Sequence, residues 1–447
     1  MSHSAAYRDV ADAAWRWVLD EVRWDDGPWI PETVEVDSEP GPPEIPELRD
    51  GMHSGIGGLA HALAELRAER AWTDEEQRLA DAIRGRIRAG IPTTTSYDFF
   101  DGLVSDIGVL GALGGPDAVE GMEMAVGRLE SLAADDGWPQ TAYLSAAVLP
   151  DSRLNDATLG TAGVLLGALW ARRLGAGNAR RLADRAADLL LAEEEATGLT
   201  WLFVPRRFRR EPGTEMPNFS HGVAGIAAAL AVAGAELDRS DLVEAAVRGA
   251  EMLVRLADTA EGGLRVPRYL PHGIIDEDLF SHGWCHGGSG TSLLFVALDR
   301  AGVESVAGEP PRAWHRRCVD AVRTSGVPAR LRPGFWDNDG RCCGTAGVGE
   351  VFLDSWQREG DDDDLDFGLS LADALVEHAV ITGPHAYWRF TEHRNAAPLL
   401  PPGVGWMQGA AGIATCLYRA DRVRAHGSSA ATIPRMDSWW ALPERAG

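Results

Sequence analysis

Apolar, alanine-rich segments alternate with amphipathic segments along almost the whole chain. In both kinds of segment, apolar positions recur every three or four residues, which is the spacing that one face of an α-helix requires. The apolar segments comprise residues 56–67, 104–113, 162–174, 223–233, 289–298, 346–356 and 410–419. The amphipathic segments comprise residues 5–23, 74–88, 117–132, 179–193, 240–255, 312–322 and 366–378. The pattern predicts fourteen helices of two alternating kinds.

Each apolar segment adjoins a motif of small residues. The motif Gly-x-x-Gly occurs at residues 55–58, 160–163, 222–225, 287–290, 344–347 and 409–412, and residues 102–105 hold a degenerate copy. Motifs that recur in this way indicate a repeat architecture, here of seven helical hairpins. The simplest closed arrangement has the apolar helices in an inner ring and the amphipathic helices in an outer ring. We therefore predict an all-α, double-ring (α/α) toroid that forms a single domain over residues 1–447.

The segments between the helices share a second feature, a Gly or Pro shortly before aromatic or β-branched residues. It predicts short strands or turns at the end of the ring where the motifs lie, which we call the mouth. The feature occurs at residues 137–138, 198–201, 263–266, 334–336 and 384–388. Residues 31–49 are rich in proline and acidic residues, and we predict an extended connection there.

Composition and charge limit the kind of partner that the protein can bind. The formal net charge is -25, and every basic side chain other than histidine is an arginine. Phosphate backbones and anionic membranes would be repelled, so we expect neither as a partner. No window approaches the roughly 18 apolar residues that span a bilayer, and the first residues lack the pattern of a signal peptide. We therefore predict a cytoplasmic protein. Disulfides are rare in that compartment, so we expect the five cysteines to be metal ligands, catalytic groups or buried thiols.

Three of these cysteines occupy matching places in neighbouring repeats. Cys285 and Cys342 each lie two positions before the first glycine of their motif, and Cys343 follows Cys342 directly. If neighbouring inner helices present the three thiols at the mouth, they can bind one ion. Three thiolates with one open position indicate zinc. The alternative is that they are small buried side chains, as we expect for Cys318 and Cys416 inside predicted helices.

Three motifs together resemble the lanthionine synthetase C family, which comprises the LanC cyclases and LanC-like proteins. The motifs are Ser220-His221-Gly222-Val223-Ala224-Gly225, Trp284-Cys285-His286-Gly287 and Cys342-Cys343-Gly344-Thr345-Ala346-Gly347. The seven repeated motifs also match the seven-fold double ring of that family, so the resemblance covers essentially the whole chain. It implies a zinc enzyme that adds a peptide cysteine thiolate to dehydroalanine or dehydrobutyrine and so closes (methyl)lanthionine thioether rings.

The same resemblance implies roles for five residues. Cys285, Cys342 and Cys343 correspond to the zinc ligands, in a three-cysteine version of a site that commonly has Cys-His in place of Cys342-Cys343. His221 corresponds to the histidine near the metal, which would protonate the enolate formed by the addition. Asp98 resembles the aspartate that the family has in its second repeat, which would orient the reacting groups or accept a proton from them. The substrate would be a dehydrated precursor peptide, which a separate dehydratase supplies and which the mouth tryptophans contact.

Departures from the family pattern leave alternatives open. Here Ser281 and His286 stand where the family often has an arginine and a tyrosine. One alternative is the addition of glutathione or another small thiol to dehydroamino acids, for which the arginine cluster at residues 207–210 would bind the acidic thiol. Another is a non-catalytic toroid that binds peptides and holds zinc structurally, with a motif histidine as fourth ligand. A carbohydrate-active toroid would instead use paired carboxylates such as Asp98 and Asp101.

Overall fold

The computed structural model describes residues 3–36, 45–140, 148–271, 279–391 and 399–443, and this part of the chain contains fourteen α-helices. They are α1 (His3–Asp20), α2 (Leu59–Glu69), α3 (Asp74–Gly90), α4 (Leu103–Leu113), α5 (Ala118–Leu132), α6 (Thr161–Arg173), α7 (Ala179–Ala192), α8 (Val223–Leu237), α9 (Ser240–Leu256), α10 (Gly288–Arg300), α11 (Pro311–Arg323), α12 (Thr345–Glu359), α13 (Asp362–His378) and α14 (Ala410–His426). Even-numbered helices form the inner ring and odd-numbered helices the outer ring. The predicted all-α double-ring toroid is confirmed, whereas its organisation as a single domain stays a prediction.

The two rings differ in how much of each helix they bury. In α8, small apolar side chains cover the whole circumference and almost every residue is buried. In α9, by contrast, only one face is buried, which includes Leu242, Ala246 and Leu253. An amphipathic helix that covers a core shows this one-sided burial. The apolar segments of the sequence are therefore the inner helices, which are buried on all sides, and the amphipathic segments are the outer helices, which are buried on one side.

The inner ring closes through contacts between successive even-numbered helices. Direct packing joins α2 to α4, α4 to α6, α6 to α8, α8 to α10, α12 to α14 and α14 to α2. Between α10 and α12, a short 3-10 turn near the C-terminus, Trp439–Ala441, packs against both helices. The outer helix α1 packs on α14, so the first and the last helix of the described chain form the seventh pair of the double ring.

Short strands occur in the loops near the end of the chain. Strand β1 (Val380–Thr382) pairs antiparallel with β2 (His385–Tyr387), which lies in the predicted segment 384–388. Strand β3 (Phe390–Thr391) pairs in the same sense with β4 (Leu399–Leu400). The other four predicted segments form turns, bends and isolated bridges, as the sequence pattern allowed.

The tryptophans of these segments hold the loops to the outer helices. The indole N–H groups of Trp138, Trp201 and Trp388 donate to carbonyls of α5, α7 and α13 at 2.8 Å. All three rings are buried, as is Trp336. They are therefore not exposed to a substrate, contrary to the expectation from the sequence.

The predicted connection over residues 31–49 is described only in part. The amide of Val34 pairs with the carbonyl of Pro402 at 3.0 Å, and Pro46–Leu48 form a 3-10 turn. Residues 37–44 lie outside the described residues, so the predicted extended conformation stays a prediction there. None of the described helices is long and apolar enough to span a lipid bilayer.

Candidate metal centre

A closed series of hydrogen bonds links the seven loops at the mouth, and we call it the loop belt. In every repeat, the residue two positions before the first motif residue offers its carbonyl oxygen to a donor from the neighbouring loop, at 2.6 to 3.3 Å. These residues are His53, Phe100, Thr158, Ser220, Cys285, Cys342 and Met407. Six of these carbonyls accept from backbone amides, and the seventh, that of Ser220, accepts from the hydroxyl of Thr158. The belt brings corresponding positions of adjacent repeats side by side.

The second glycine of the motif lets each loop fold back onto its own inner helix. A Cβ on Gly347 would lie 1.8 Å from the carbonyl oxygen of Arg341, and one on Gly290 would lie 1.8 Å from that of Trp284. Such contacts exclude any side chain, because the opposing atom belongs to the backbone. In the degenerate second repeat Ser105 takes this place, and its hydroxyl accepts a hydrogen bond from an amide of the first loop at 3.0 Å.

The loop belt brings three thiols together. Cys285 precedes α10, whereas Cys342 and Cys343 precede α12, and the amide of Cys285 donates to the carbonyl of Cys342 at 3.3 Å. The sulfur of Cys343 lies 3.1 Å from that of Cys285 and 3.4 Å from that of Cys342. Hydrogen bonds from the other two thiols hold the pKa of Cys343 well below its usual value. The predicted meeting of three thiols from two repeats is therefore observed.

The donor set fits a zinc ion. All three sulfur atoms lie within 4.8 Å of one another, and among the described residues this group contains no histidine or carboxylate. A tetrahedron with zinc–sulfur bonds of about 2.3 Å has edges of roughly 3.8 Å, so shifts of about half an ångström would suffice. Cys318 and Cys416 are separate, buried thiols, as the sequence predicts.

His221 lies in the loop that neighbours Cys285. The amide of Ser220 donates to the carbonyl of Cys285 at 2.8 Å, and the rings of His221 and His286 are 5.5 Å apart. Nδ1 of His221 donates to the fully buried Asp156 carboxylate at 2.8 Å. Because a carboxylate only accepts, the proton resides on Nδ1 and Nε2 is the nitrogen left to exchange protons.

Asp156 was not among the residues selected from the sequence. It belongs to the third repeat and also accepts a hydrogen bond from the hydroxyl of Thr158 at 2.8 Å. Both residues contact His221, since Thr158 Oγ1 lies 3.0 Å from Nδ1. Asp156 lies four positions before Gly160, a position that holds a carboxylate only here and at Asp98 of the second repeat, so the sequence narrows the choice to these two residues.

Asp98 occupies the same position of the second repeat but interacts within its own loop. It accepts hydrogen bonds from the hydroxyl of Ser96 and from the amide of Asp101. Burial raises the pKa of Asp98, and burial together with the Asp98 charge raises that of Asp101 well above its usual value. The structure thus brings Asp156, rather than Asp98, against His221, and a catalytic role of Asp98 stays a prediction.

Known proteins resemble this chain in sequence family and in fold. Residues 46–424 match the family model described as lanthionine synthetase C-like protein. Among curated proteins, none matches closely enough to count as a relative. A nisin cyclase superposes with a TM-score of 0.57 and 14% identity, over 89% of this chain and 93% of that chain, which supports the toroid fold. A cellobiose 2-epimerase from Spirochaeta thermophila has a TM-score of 0.49 and 12% identity, over 94% and 96% of the two chains.

Proposed function

Because the chain belongs to the lanthionine synthetase C-like family, we propose that it is a zinc-dependent cyclase that forms thioether rings in a peptide. The reaction is the addition of a cysteine thiol to the double bond of dehydroalanine or dehydrobutyrine. The observation that carries the proposal is the cluster of three thiols beside the loop that holds His221, whose ring is paired with Asp156 of the preceding repeat. A nisin cyclase shares the fold, and its name implies a peptide substrate.

We assign Cys285, Cys342 and Cys343 as the zinc ligands. Three protein ligands without a fourth characterise catalytic zinc sites, in which one position remains for water or substrate. The chemistry that zinc supplies there is to keep a thiol deprotonated near neutral pH, although a free thiol has a pKa of about 8.5. The absence of a histidine from the ligand cluster of the described residues favours this reading over a closed structural site.

We assign the proton transfer to Nε2 of His221. Nε2 takes up the proton that the peptide thiol releases and returns it to the α-carbon after the C–S bond has formed at the β-carbon. One S–H bond and one π bond are lost, and one C–S and one C–H bond are formed, so the mass of the peptide does not change. Between these steps the imidazolium is stabilised by the buried Asp156 carboxylate, with which Nδ1 is hydrogen-bonded at 2.8 Å.

The alternative of a small acidic thiol as substrate has less support. Two arginines of the cluster at residues 207–210 form ion pairs with carboxylates of the protein, Arg207 with Glu193 and Arg209 with Glu215, as does the adjacent Arg206 with Glu195. A guanidinium that is already paired offers less charge to a second carboxylate. A peptide substrate therefore remains our proposal, together with a cytoplasmic location and a separate dehydratase that supplies the dehydrated peptide.

The test measures metal content and ring closure in the same preparation. The purified protein is expected to contain about one zinc per chain and to consume the free thiol of a dehydrated, cysteine-containing peptide without a change in peptide mass. Cys343→Ala is expected to lose both the metal and the activity. Cys318→Ala, which removes a buried thiol of α11, is the matched control and is expected to keep both.

Each result has a defined meaning. Zinc without thiol consumption would leave a structural site and contradict the proposed reaction. Thiol consumption that requires added glutathione, with addition of its mass to the peptide, would support the small-thiol alternative. Full zinc content in Cys343→Ala would overturn the three-thiol assignment.

A further inference from the structure

The C-terminal segment lies inside the inner ring. After α14 the chain turns back, and residues 435–442 are buried. This segment reaches three inner helices, at the last turn of α8, in the middle of α10 and at the last turn of α12. Trp439 contacts Glu236 of α8, Trp440 contacts Leu293 of α10, and Ala441 contacts Arg358 of α12. We call residues 435–442 the C-terminal wedge.

The C-terminal wedge separates the two helices whose loops carry the thiols. At the other six junctions the inner helices pack directly on each other, whereas α10 and α12 both pack on Trp439–Ala441. The indole N–H of Trp440 donates to the carbonyl of Leu293 on α10 at 3.1 Å. Arg358 on α12 donates to the carbonyl of Ala441 at 3.0 Å. The spacing of α10 and α12 therefore depends on the wedge.

One residue of the wedge reaches the metal loop itself. Asp437 accepts a hydrogen bond at 2.9 Å from Nη1 of Arg341, the residue directly before Cys342. Arg341 is buried, also donates to Glu350 at 2.8 Å, and stacks on the ring of Trp406 at 4.1 Å. A buried guanidinium held by two carboxylates and a ring has a fixed position, and removing one partner is costly.

The contact between Asp437 and Arg341 is also close to the loop that carries Cys285. Trp284, which precedes Cys285, lines a cavity of about 20 Å³ together with Arg341 and Asp437. The two thiol loops and the wedge therefore meet around a space that is hardly larger than one water molecule. A displacement of the wedge would therefore shift both thiol loops, because the space between them is too small to absorb it.

We propose that the C-terminal wedge sets the separation of the two thiol loops, and that Asp437 is a positioning residue for the metal centre. The inference rests on the metal centre proposed above. Asp437 touches none of the thiols and acts through Arg341, which fixes the main chain that leads into Cys342 and Cys343. Outer-sphere partners of this kind typically change metal affinity by about 10- to 100-fold.

The test compares two substitutions of the same chemistry in the full-length protein. Asp437→Asn removes the charge from the wedge and keeps the shape of the side chain. Asp364→Asn makes the same change in a fully buried carboxylate of outer helix α13, which is paired with Arg316 at 2.7 Å. Zinc affinity is measured by competition with a chelator, thermal stability by scanning calorimetry, and site geometry by the thiolate charge-transfer spectrum of the cobalt(II)-substituted protein.

Asp437→Asn is expected to weaken zinc binding by about tenfold or more and to change the cobalt spectrum. Asp364→Asn is expected to lower thermal stability while zinc affinity and spectrum stay as in the wild type. Equal zinc affinity and an identical spectrum in Asp437→Asn would overturn the inference while leaving the metal centre intact. A wild-type protein that binds no zinc would overturn the metal centre, and the inference with it.

A second variant keeps the test decisive if Asp437→Asn does not fold. Trp440→Phe removes the hydrogen bond to Leu293 on α10 and keeps an aromatic ring in the wedge. It is expected to weaken zinc binding in the same direction with a smaller change in the cobalt spectrum. Unaltered zinc binding in a folded Trp440→Phe protein would contradict the role of the wedge.

Discussion

The backbone amide of Cys285 donates a hydrogen bond to the carbonyl oxygen of Cys342 at 3.3 Å, which joins the two thiol loops through the main chain. The link does not involve either sulfur atom. The fold itself therefore holds the two loops together, and the proposed metal site is preformed. This relationship separates the proposed site from small zinc domains, whose folding requires the metal.

Removal of zinc is expected to lower the thermal unfolding temperature by a few degrees and to leave the helix content unchanged. A metal that binds only the folded protein stabilises it, by about 2.7 kcal/mol when the free metal is at 100 times its Kd. The measurement is circular dichroism during heating, with and without a chelator. Loss of helix content at room temperature after chelation would show that zinc is required for folding and would contradict a preformed site.

Gly347→Ala is expected to destabilise the protein by about 3 kcal/mol or more and to weaken metal binding. The added Cβ would lie 1.8 Å from the carbonyl oxygen of Arg341, so the loop that carries Cys342 must move. Gly85→Ala is the control, because its Cβ meets nothing within 4 Å in α3. It is expected to stabilise by roughly 0.5–1 kcal/mol, since alanine favours a helix. Urea denaturation of both variants checks these values, and equal stabilities would contradict the close approach.

Asp156→Asn is expected to slow ring closure by roughly 100-fold while zinc content stays near one per chain. The substitution removes the charge that stabilises the His221 imidazolium but keeps the shape of a side chain that is fully buried. The measurement is the rate of thiol loss from a dehydrated peptide at saturating peptide. Asp98→Asn serves as the comparison, because Asp98 interacts with Ser96 and Asp101 in its own loop. A larger loss of rate in Asp98→Asn would favour the assignment made from the sequence.

Protein stability is expected to fall as the pH is lowered below about 6.5, in part because of His61. Burial lowers the pKa of His61 to about 3, and the ring stacks on Trp406 at 4.1 Å. The charge of Asp437 opposes this shift, whereas those of Arg341 and Arg435 add to it. Since the pKa is depressed in the folded state, the contribution is complete above the unfolded pKa near 6.5 and is lost as the pH falls towards 3.

The measurement that isolates this contribution is chemical denaturation of the wild type and His61→Phe between pH 7 and pH 5. One proton bound only by the unfolded state gives a slope of up to about 1.4 kcal/mol per pH unit. His61→Phe keeps an aromatic ring against Trp406 and is expected to have a shallower slope than the wild type. Parallel slopes would mean that His61 is protonated to the same extent in both states.

The fold was predictable from the sequence because both of its signals are local. Helical periodicity identifies each helix, and a motif of small residues marks the start of each inner helix, as Gly344 does for α12. Boundaries were less certain: α2 starts at Leu59, after a 3-10 turn over Ile56–Gly58 that the periodicity included in the helix. The meeting of Cys285 with Cys342 and Cys343 followed from matching repeat positions.

The choice between two aspartates was beyond the sequence pattern. Asp98 and Asp156 both lie four positions before the first residue of their motif, so position alone does not distinguish them. The closed ring does, because the hydrogen bonds of the loop belt join each loop to its two neighbours, and His221 belongs to the fourth repeat. Its partner therefore comes from the third repeat rather than the second.

The C-terminal wedge was also missing from the predictions, for a different reason. Its contacts join residue 437 to residue 341 and residue 440 to residue 293, separations at which no periodic signal exists. The segment lacks a motif, and its burial depends on a channel that exists only once the ring has closed.

The side chains at the loop belt, rather than the fold, determine at which junction between repeats the proposed site lies. Six of its seven links join main-chain groups, and the residues at its seven equivalent positions are His, Phe, Thr, Ser, Cys, Cys and Met. Each junction between repeats thus offers the same framework with different chemistry attached. We therefore expect that ligand residues placed at another junction between two repeats would be held by the same main-chain hydrogen bonds, without a change in the ring of helices.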